Sequence, residues 1–157
     1  MIDSVEFAKY LVWRAKELEE LYHVQYELGP TKLNKIMYIC EGILLAYGIN
    51  IIKENAQAWD DGPIYPRVYK WISEHPDVPL AVSETPDTIK KHLENYHALP
   101  LIDRGIIAFA ARSTEELTAW SQEKSSPWAW AMQKAHGAPH YPIDKYDMAR
   151  YFSKFGK

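Results

Sequence analysis

The sequence predicts a mainly α protein, a compact single-domain helical bundle with a small β-hairpin between its central helix and a Gly-Pro segment. Three observations carry that reading. Apolar residues recur at helical spacing in several segments, and Asp, Ser, Thr, Pro and Gly stand where helices start and stop. Only one short stretch, Ile49 to Trp59, reads as strand. The length of 157 residues fits one ordinary domain, with no repeat, low-complexity tract or linker to divide it.

The first helix starts near Asp3, with Glu6 completing a capping box. Val5, Ala8, Leu11, Val12, Ala15 and Leu18 form its apolar stripe, and Lys9, Arg14, Lys16, Glu17 and Glu20 take the other side. The stretch from Gln25 to Pro30 breaks it. Thr31 is placed to cap a second helix that runs to about Tyr47 and stops at Gly48, a residue suited to the left-handed position past a helix end. From its second turn this helix is apolar nearly all round, which marks it as central. Gly42 inside it costs about 1 kcal/mol relative to Ala, which a close helix crossing would offset.

Ile49, Ile51 and Ile52, then Ala56, Ala58 and Trp59, flank Lys53-Glu54-Asn55 and suggest two short strands around a turn. Asp61-Gly62-Pro63 is a turn signal, and Pro66 suits the first position of a helix carrying Val68, Tyr69 and Ile72. An irregular connection is expected over Pro76–Pro86. Thr85-Pro86 then opens a helix with Ile89, Leu93 and Tyr96 on one face. After Pro100 an apolar helix covers Asp103–Ala111. Ser113 and Glu116 form a second capping box ahead of Leu117 and Trp120. Pro127 starts the turn carrying Trp128 and Trp130, Gly137 to Pro142 is loop, and Asp144 or Asp147 caps a last helix with Met148, Tyr151 and Phe152.

The formal charge of −3 and pI near 6.1 argue against a general nucleic-acid binder, which needs a basic face to displace counterions. One cysteine, Cys40, allows no disulfide within the chain and points to a reducing compartment, the cytoplasm. The Met-Ile-Asp-Ser-Val-Glu start is not a signal peptide, and nothing approaches the roughly 18 unbroken apolar residues of a membrane span. No membrane partner is expected.

No catalytic centre emerges. His136 and His140 are separated by Gly137 and Pro139, which prevent the helix that would aim both at one metal and leave a mobile surface loop. His92 and His97 fall on different faces of a helix. Cys40 lies among apolar residues and reads as a small core side chain rather than a nucleophile. Asp60-Asp61 lacks further oxygen ligands for a cation, and Glu115-Glu116 is explained by a helix N-terminus. Neither a nucleophile elbow nor a phosphate-cradling loop is present. The chain is therefore read as a non-enzymatic binder without metal or cofactor. Its six Trp and eleven Tyr suit such a role, since aromatics supply contact area in cores and interfaces alike.

One pattern is specific. Thr31-Lys32-Leu33-Asn34-Lys35-Ile36-Met37-Tyr38, then Glu41-Gly42 and Leu45, precede Ala58-Trp59-Asp60-Asp61-Gly62-Pro63-Ile64-Tyr65-Pro66-Arg67-Val68-Tyr69. Together they resemble the Panacea antitoxin domain, the family of SocA-like and phage-associated proteins. Its members carry a similar Thr-x-Leu-x-Lys-Leu-x-Tyr helix and a later Ala-Trp-x-x-Gly-Pro-Val-x-Pro-x-Val-Tyr segment. The likeness continues through Leu117, Pro127-Trp128, Ile143 and Tyr151-Phe152, so it spans almost the whole chain. Departures occur at Glu41, where Gln is frequent, at Asp61, where a bulky aromatic is frequent, and at Trp120-Ser121 in place of a Thr-His pair.

The resemblance implies a cytoplasmic antitoxin from a bacterial or prophage operon that neutralises a cognate protein toxin, encoded nearby, by direct binding. SocA-like members also deliver their toxin to a cytoplasmic protease, so a proteolytic adaptor is the alternative. Some members carry a DNA-binding module before the domain; here the first helix starts at once, so none is expected. Lys32 and Lys35 fit either a solvated face or a partner contact. Trp59 fits either an anchor for the β element or a toxin contact. Asp60, Asp61, Tyr65, Arg67 and Tyr69 surround the rigid Gly-Pro turn, and polar groups beside aromatics on a rigid frame suit recognition. Of Trp128 and Trp130, one is expected to pack and the other to bind.

Overall fold

The computed structural model describes residues 1–75 and 87–155. Helix α1 (Ser4–Tyr22) begins where Asp3 Oδ1 accepts the Glu6 backbone N–H at 3.0 Å, and it ends at His23 in the left-handed conformation. Its buried face is wider than the expected stripe, because Phe7 and Tyr10 join Ala8, Leu11, Val12, Ala15 and Leu18.

Helix α2 (Pro30–Ala46) starts at Pro30 with Gly29 as its cap; Thr31 sits one residue inside and caps nothing. Proline takes the first turn because it has no N–H to leave unpaired. Every residue from Lys32 to Ala46 is buried, so α2 is the axis of the bundle. Lys32 and Lys35 are thus not on a solvated face. A long polar side chain can follow its backbone inside when a helix is enclosed on all sides, and the Lys32 ammonium bonds the Tyr26 carbonyl.

Two strands follow: β1 (Gln57–Trp59) and β2 (Gly62–Ile64), antiparallel with Trp59 opposite Gly62, Ala58 opposite Pro63 and Gln57 opposite Ile64. This corrects the expected hairpin. The strand before Trp59 pairs with the Gly-Pro segment, not with Ile49–Ile52, and the turn is Asp60-Asp61. Ile51 and Ile52 are both buried, so that run does not alternate; Ile52 instead forms a lone parallel bridge with Ile2. Gly62, at φ 125°, holds a backbone conformation that side chains resist, and Pro63 is tolerated because β2 lies at the sheet edge.

Helix α3 (Pro66–Glu74) begins at its proline as expected. The expected connection over Pro76–Pro86 and the Thr85-Pro86 helix start lie outside the described residues. Beyond them come α4 (Asp87–Asn95), α5 (Leu99–Phe109), α6 (Thr114–Ser121) and α7 (Pro127–Ala135). α5 starts four residues earlier than expected, since Pro100 sits in its first turn rather than ahead of it. His97 lies past the end of α4 in the left-handed conformation, not on the helix. Ser113 and Ser126 cap α6 and α7 by accepting the N–H of Glu116 and Ala129.

Strand β3 (Tyr141–Pro142), expected as loop, pairs antiparallel with the free side of β1 to complete a sheet of order β2-β1-β3. Helix α8 (Lys145–Phe152), capped by Asp144, ends in a 3-10 turn over Ser153–Phe155. The described residues thus form eight α-helices and one small sheet, a mainly α protein.

Glycines set how closely two helices approach α2. A Cβ on Gly42 would lie 2.1 Å from the Phe152 ring of α8, and one on Gly105 of α5 would lie 2.8 Å from Cys40 Sγ. The close crossing anticipated at Gly42 is therefore an aromatic ring lying on the helix backbone. Trp120 joins this region, with ring centroids 5.8 Å from Phe152, 6.0 Å from Tyr151 and 5.7 Å from Phe109. On the other flank Arg14 of α1 grips Asp103 of α5 with two bonds of 2.8 and 2.7 Å.

Candidate protein-binding site

The Trp59–Tyr65 segment is held from several sides. The Trp59 ring stacks on His140 at 4.0 Å and 16°, and meets Tyr69 of α3 at 5.0 Å. Its carbonyl accepts Trp128 Nε1–H from α7 at 2.8 Å, and the Asp60 carbonyl accepts Gln122 Nε2–H at 2.8 Å. Gly62 is buried between α2 and α6: a Cβ there would lie 3.3 Å from Ser121 Oγ. The turn is therefore a fixed platform. Asp60 and Asp61 are exposed on it, and Tyr69 is 50% exposed beside it.

Tyr65 is not a surface residue, which corrects its assignment as a partner contact. It is fully buried along α2, its backbone N–H donating to Asn34 Oδ1 at 2.9 Å and its hydroxyl to Glu41 Oε1 at 2.7 Å. The second carboxylate oxygen of Glu41 lies 3.3 Å from Lys145 Nζ of α8, which also bonds the Ile52 carbonyl and Asn50 Oδ1. Burial pushes the Glu41 carboxyl above its ordinary range, with Lys145 and then Tyr65 pulling it back. Burial, reinforced by Glu41, pushes the Tyr65 phenol well up.

Arg67 is exposed but engaged elsewhere, 3.2 Å from Glu54 and 3.7 Å from Asp3, where it lines a separate cavity with Glu6, Lys9 and Trp71. Both tryptophans of α7 are half-buried. Trp128 supports the turn, whereas Trp130 packs edge-on against Tyr151 at 6.3 Å under the Arg150 guanidinium. Trp59, Asp60, Asp61, Tyr69 and Trp128 are thus brought together; Tyr65, Arg67 and Trp130 are not part of that surface.

Two cavities meet at the Trp59 ring and Asp61. The larger, about 420 Å³, runs toward Met132, Pro139 and His140. The smaller, about 190 Å³, lies between the hairpin, α2 and α3 and is lined by Thr31, Asn34, Lys35, Ile64, Tyr69 and Ile72. Lys35, only 1% exposed, is one of its lining residues, and its Nζ would lie 3.7 Å from a Cβ placed on Gly62. Burial lowers the Lys35 pKa, and the Asp61 carboxylate opposes that shift.

Sequence reasoning left this lysine between a solvated face and a partner contact, and did not foresee its burial or the roles of Asn34, Gln122 and His140. The available signal was a basic residue within a helix otherwise apolar all round. His140 is not simply part of a mobile loop, since it stacks on Trp59. Among the described residues no three His, Cys, Asp or Glu gather as a metal site, and no helix is long and apolar enough to cross a membrane. The Cys40 thiol is fully buried, pushed up by that burial, and directed at the Ile102 carbonyl.

No protein-family model matches the chain, and neither a curated protein nor a solved structure matches it.

Proposed function

We propose that the protein is an antitoxin that neutralises a cognate protein toxin by direct binding, with the platform of Trp59, Asp60, Asp61 and Tyr69 as the centre of its contact surface. The resemblance of residues 31–45 and 58–69 to the Panacea domain is the ground for the class of function. The platform supports the choice of surface. It presents two carboxylates and a half-exposed tyrosine on a turn clamped by His140, Gln122 and Trp128. A loop already fixed in place loses little conformational freedom on binding, which is the usual cost of using one.

The test is co-expression with the product of the neighbouring gene. Growth is expected to be rescued and the two proteins to co-purify. Asp60→Lys and Tyr69→Ala should each weaken the complex at least tenfold, about 1.4 kcal/mol, with the protein still folded. Arg67→Ala, on the other cavity, should leave affinity within about twofold. Unaltered affinity in both platform variants moves the interface elsewhere, and failure of rescue removes the antitoxin reading. Toxin lifetime, followed with and without the protein, separates sequestration from protease delivery: an unchanged lifetime excludes the adaptor.

A further inference from the structure

The cavity beside α2 contains a charge that the described fold leaves without a direct partner. Lys32, one turn earlier, satisfies its ammonium on a backbone carbonyl, and Lys145 is shared among Glu41, Asn50 and Ile52. Lys35 Nζ has no hydrogen bond or ion pair among the described residues, although the side chain is almost wholly enclosed. Burying an ammonium without a partner is costly. The N-terminus of α2 adds to the positive potential: Pro30 and Thr31 line the same cavity, and Gly29 supplies no side-chain cap. Asn34 uses its carbonyl oxygen on Tyr65, which leaves its amide NH2 as the group able to donate.

We propose that this cavity is an anchor pocket for one acidic side chain of the protein partner, whose carboxylate meets the Lys35 ammonium between Trp59 and Tyr69. The identity of the partner as a toxin rests on the antitoxin reading; the chemistry of the pocket does not. Size selects a single side chain, because about 190 Å³ is below the roughly 300 Å³ at which small-molecule sites begin. Charge selects a carboxylate. An apolar occupant would seal the ammonium in with only the unbonded Asp61 carboxylate nearby, and a phosphate would bring nearly two charges to one ammonium with Asp61 at the wall. Trp59, Ile64, Tyr69 and Ile72 supply the apolar walls for the methylenes of an acidic side chain.

The experiment is an NMR titration of the whole protein, without toxin, using N-acetyl-glutamate α-amide, its glutamine counterpart and inorganic phosphate as probes. The acidic probe should produce saturable shifts at Lys35, Tyr69 and the Trp59 indole, and saturation should raise the Lys35 titration midpoint. The glutamine probe should bind at least tenfold more weakly, as should the acidic probe to Lys35→Met.

Asp61→Asn tests whether the probe carboxylate sits at the Lys35 ammonium, beside the Asp61 carboxylate that lines the same cavity. Removal of the competing carboxylate should tighten the acidic probe two- to fivefold. Unchanged or weaker binding to Asp61→Asn would show that the probe carboxylate does not meet the Lys35 ammonium beside Asp61, and would overturn the proposal. Absence of saturable shifts at these three residues, or tighter binding of phosphate, overturns it too. If Lys35→Met does not fold, Asp61→Asn and the glutamine probe still decide. Growth rescue uses no probe and the titration uses no toxin, so each reading can fail without the other.

Discussion

Tyr65→Phe separates framework from contact surface, because it removes one oxygen and no packing. The phenol donates to Glu41 Oε1 at 2.7 Å, and both groups are buried in full. A hydrogen bond to a neutral acceptor contributes about 0.5–1.5 kcal/mol, and one to a charged acceptor about 1.5–3 kcal/mol. The loss therefore depends on the protonation of Glu41, whose folded pKa is raised above the ordinary 4.5 chiefly by burial. With that sign, the folded state holds the proton more tightly than the unfolded state. The resulting stability is fully present below pH 4.5 and is lost as pH rises through the raised value. The phenol favours the carboxylate, so its removal raises the folded pKa further. The deficit of Tyr65→Phe should be about 1 kcal/mol where Glu41 is protonated and widen to about 2–3 kcal/mol above its folded pKa. Urea unfolding of both proteins from pH 5 to 9 measures this directly. A deficit that narrows with rising pH would refute the coupling, and one below about 0.5 kcal/mol throughout would refute the bond itself. Folded Tyr65→Phe should bind the proposed toxin partner as the parent does.

Gly42→Ala should lower stability by about 1–3 kcal/mol despite a helix-propensity gain of about 1 kcal/mol, because the new methyl enters the Phe152 ring and Tyr38 and Trp120 crowd that ring. Thermal unfolding checks it, and Gly42→Ala with Phe152→Leu should recover part of the loss. Lys35→Met should leave the isolated protein equally stable or more stable at neutral pH, since it removes a buried charge without a direct partner. Its advantage should shrink as pH rises from the lowered folded pKa of Lys35 toward 10.5, where the parent sheds the same proton; pH-dependent urea unfolding reads this.

Helices were legible wherever a residue has one dominant local role. Asp3, Ser113 and Asp144 all cap, Pro66 and Pro127 sit in first turns, and the crossing inferred at Gly42 is filled by Phe152. The sheet was not legible, because strands of two or three residues carry no alternation to read. Their pairing is decided by where the helices place them, as with Ala58 opposite Tyr141. Tyr65 was misread for a related reason. Its partners, Asn34 and Glu41, lie on another element, seven residues and about 10 Å apart along α2. Two helical turns bring both to one face, which spans the tyrosine from backbone to hydroxyl. A sequence motif shows such residues as separate islands, and only the packed helix shows that one island fastens the other.

That fastening bears on which part of the motif is available for recognition. Four polar exceptions interrupt the apolar face of α2: Lys32, Asn34, Lys35 and Glu41. Three have direct partners inside the fold: Lys32 the Tyr26 carbonyl, Asn34 the Tyr65 N–H, and Glu41 the Tyr65 hydroxyl and, as an ion pair, Lys145. Each of those contacts locks the Gly-Pro segment or the neighbouring chain against α2, and so explains its residue through stability alone. Lys35 has no such explanation, and it is the exception that opens on a cavity walled by Trp59 and Tyr69. A buried charge without a direct partner lowers stability, so it is better accounted for by what it binds. The same helix thus holds the hairpin rigid through Asn34 and Glu41 and offers, through Lys35, the one buried polar group of the four left to an outside partner.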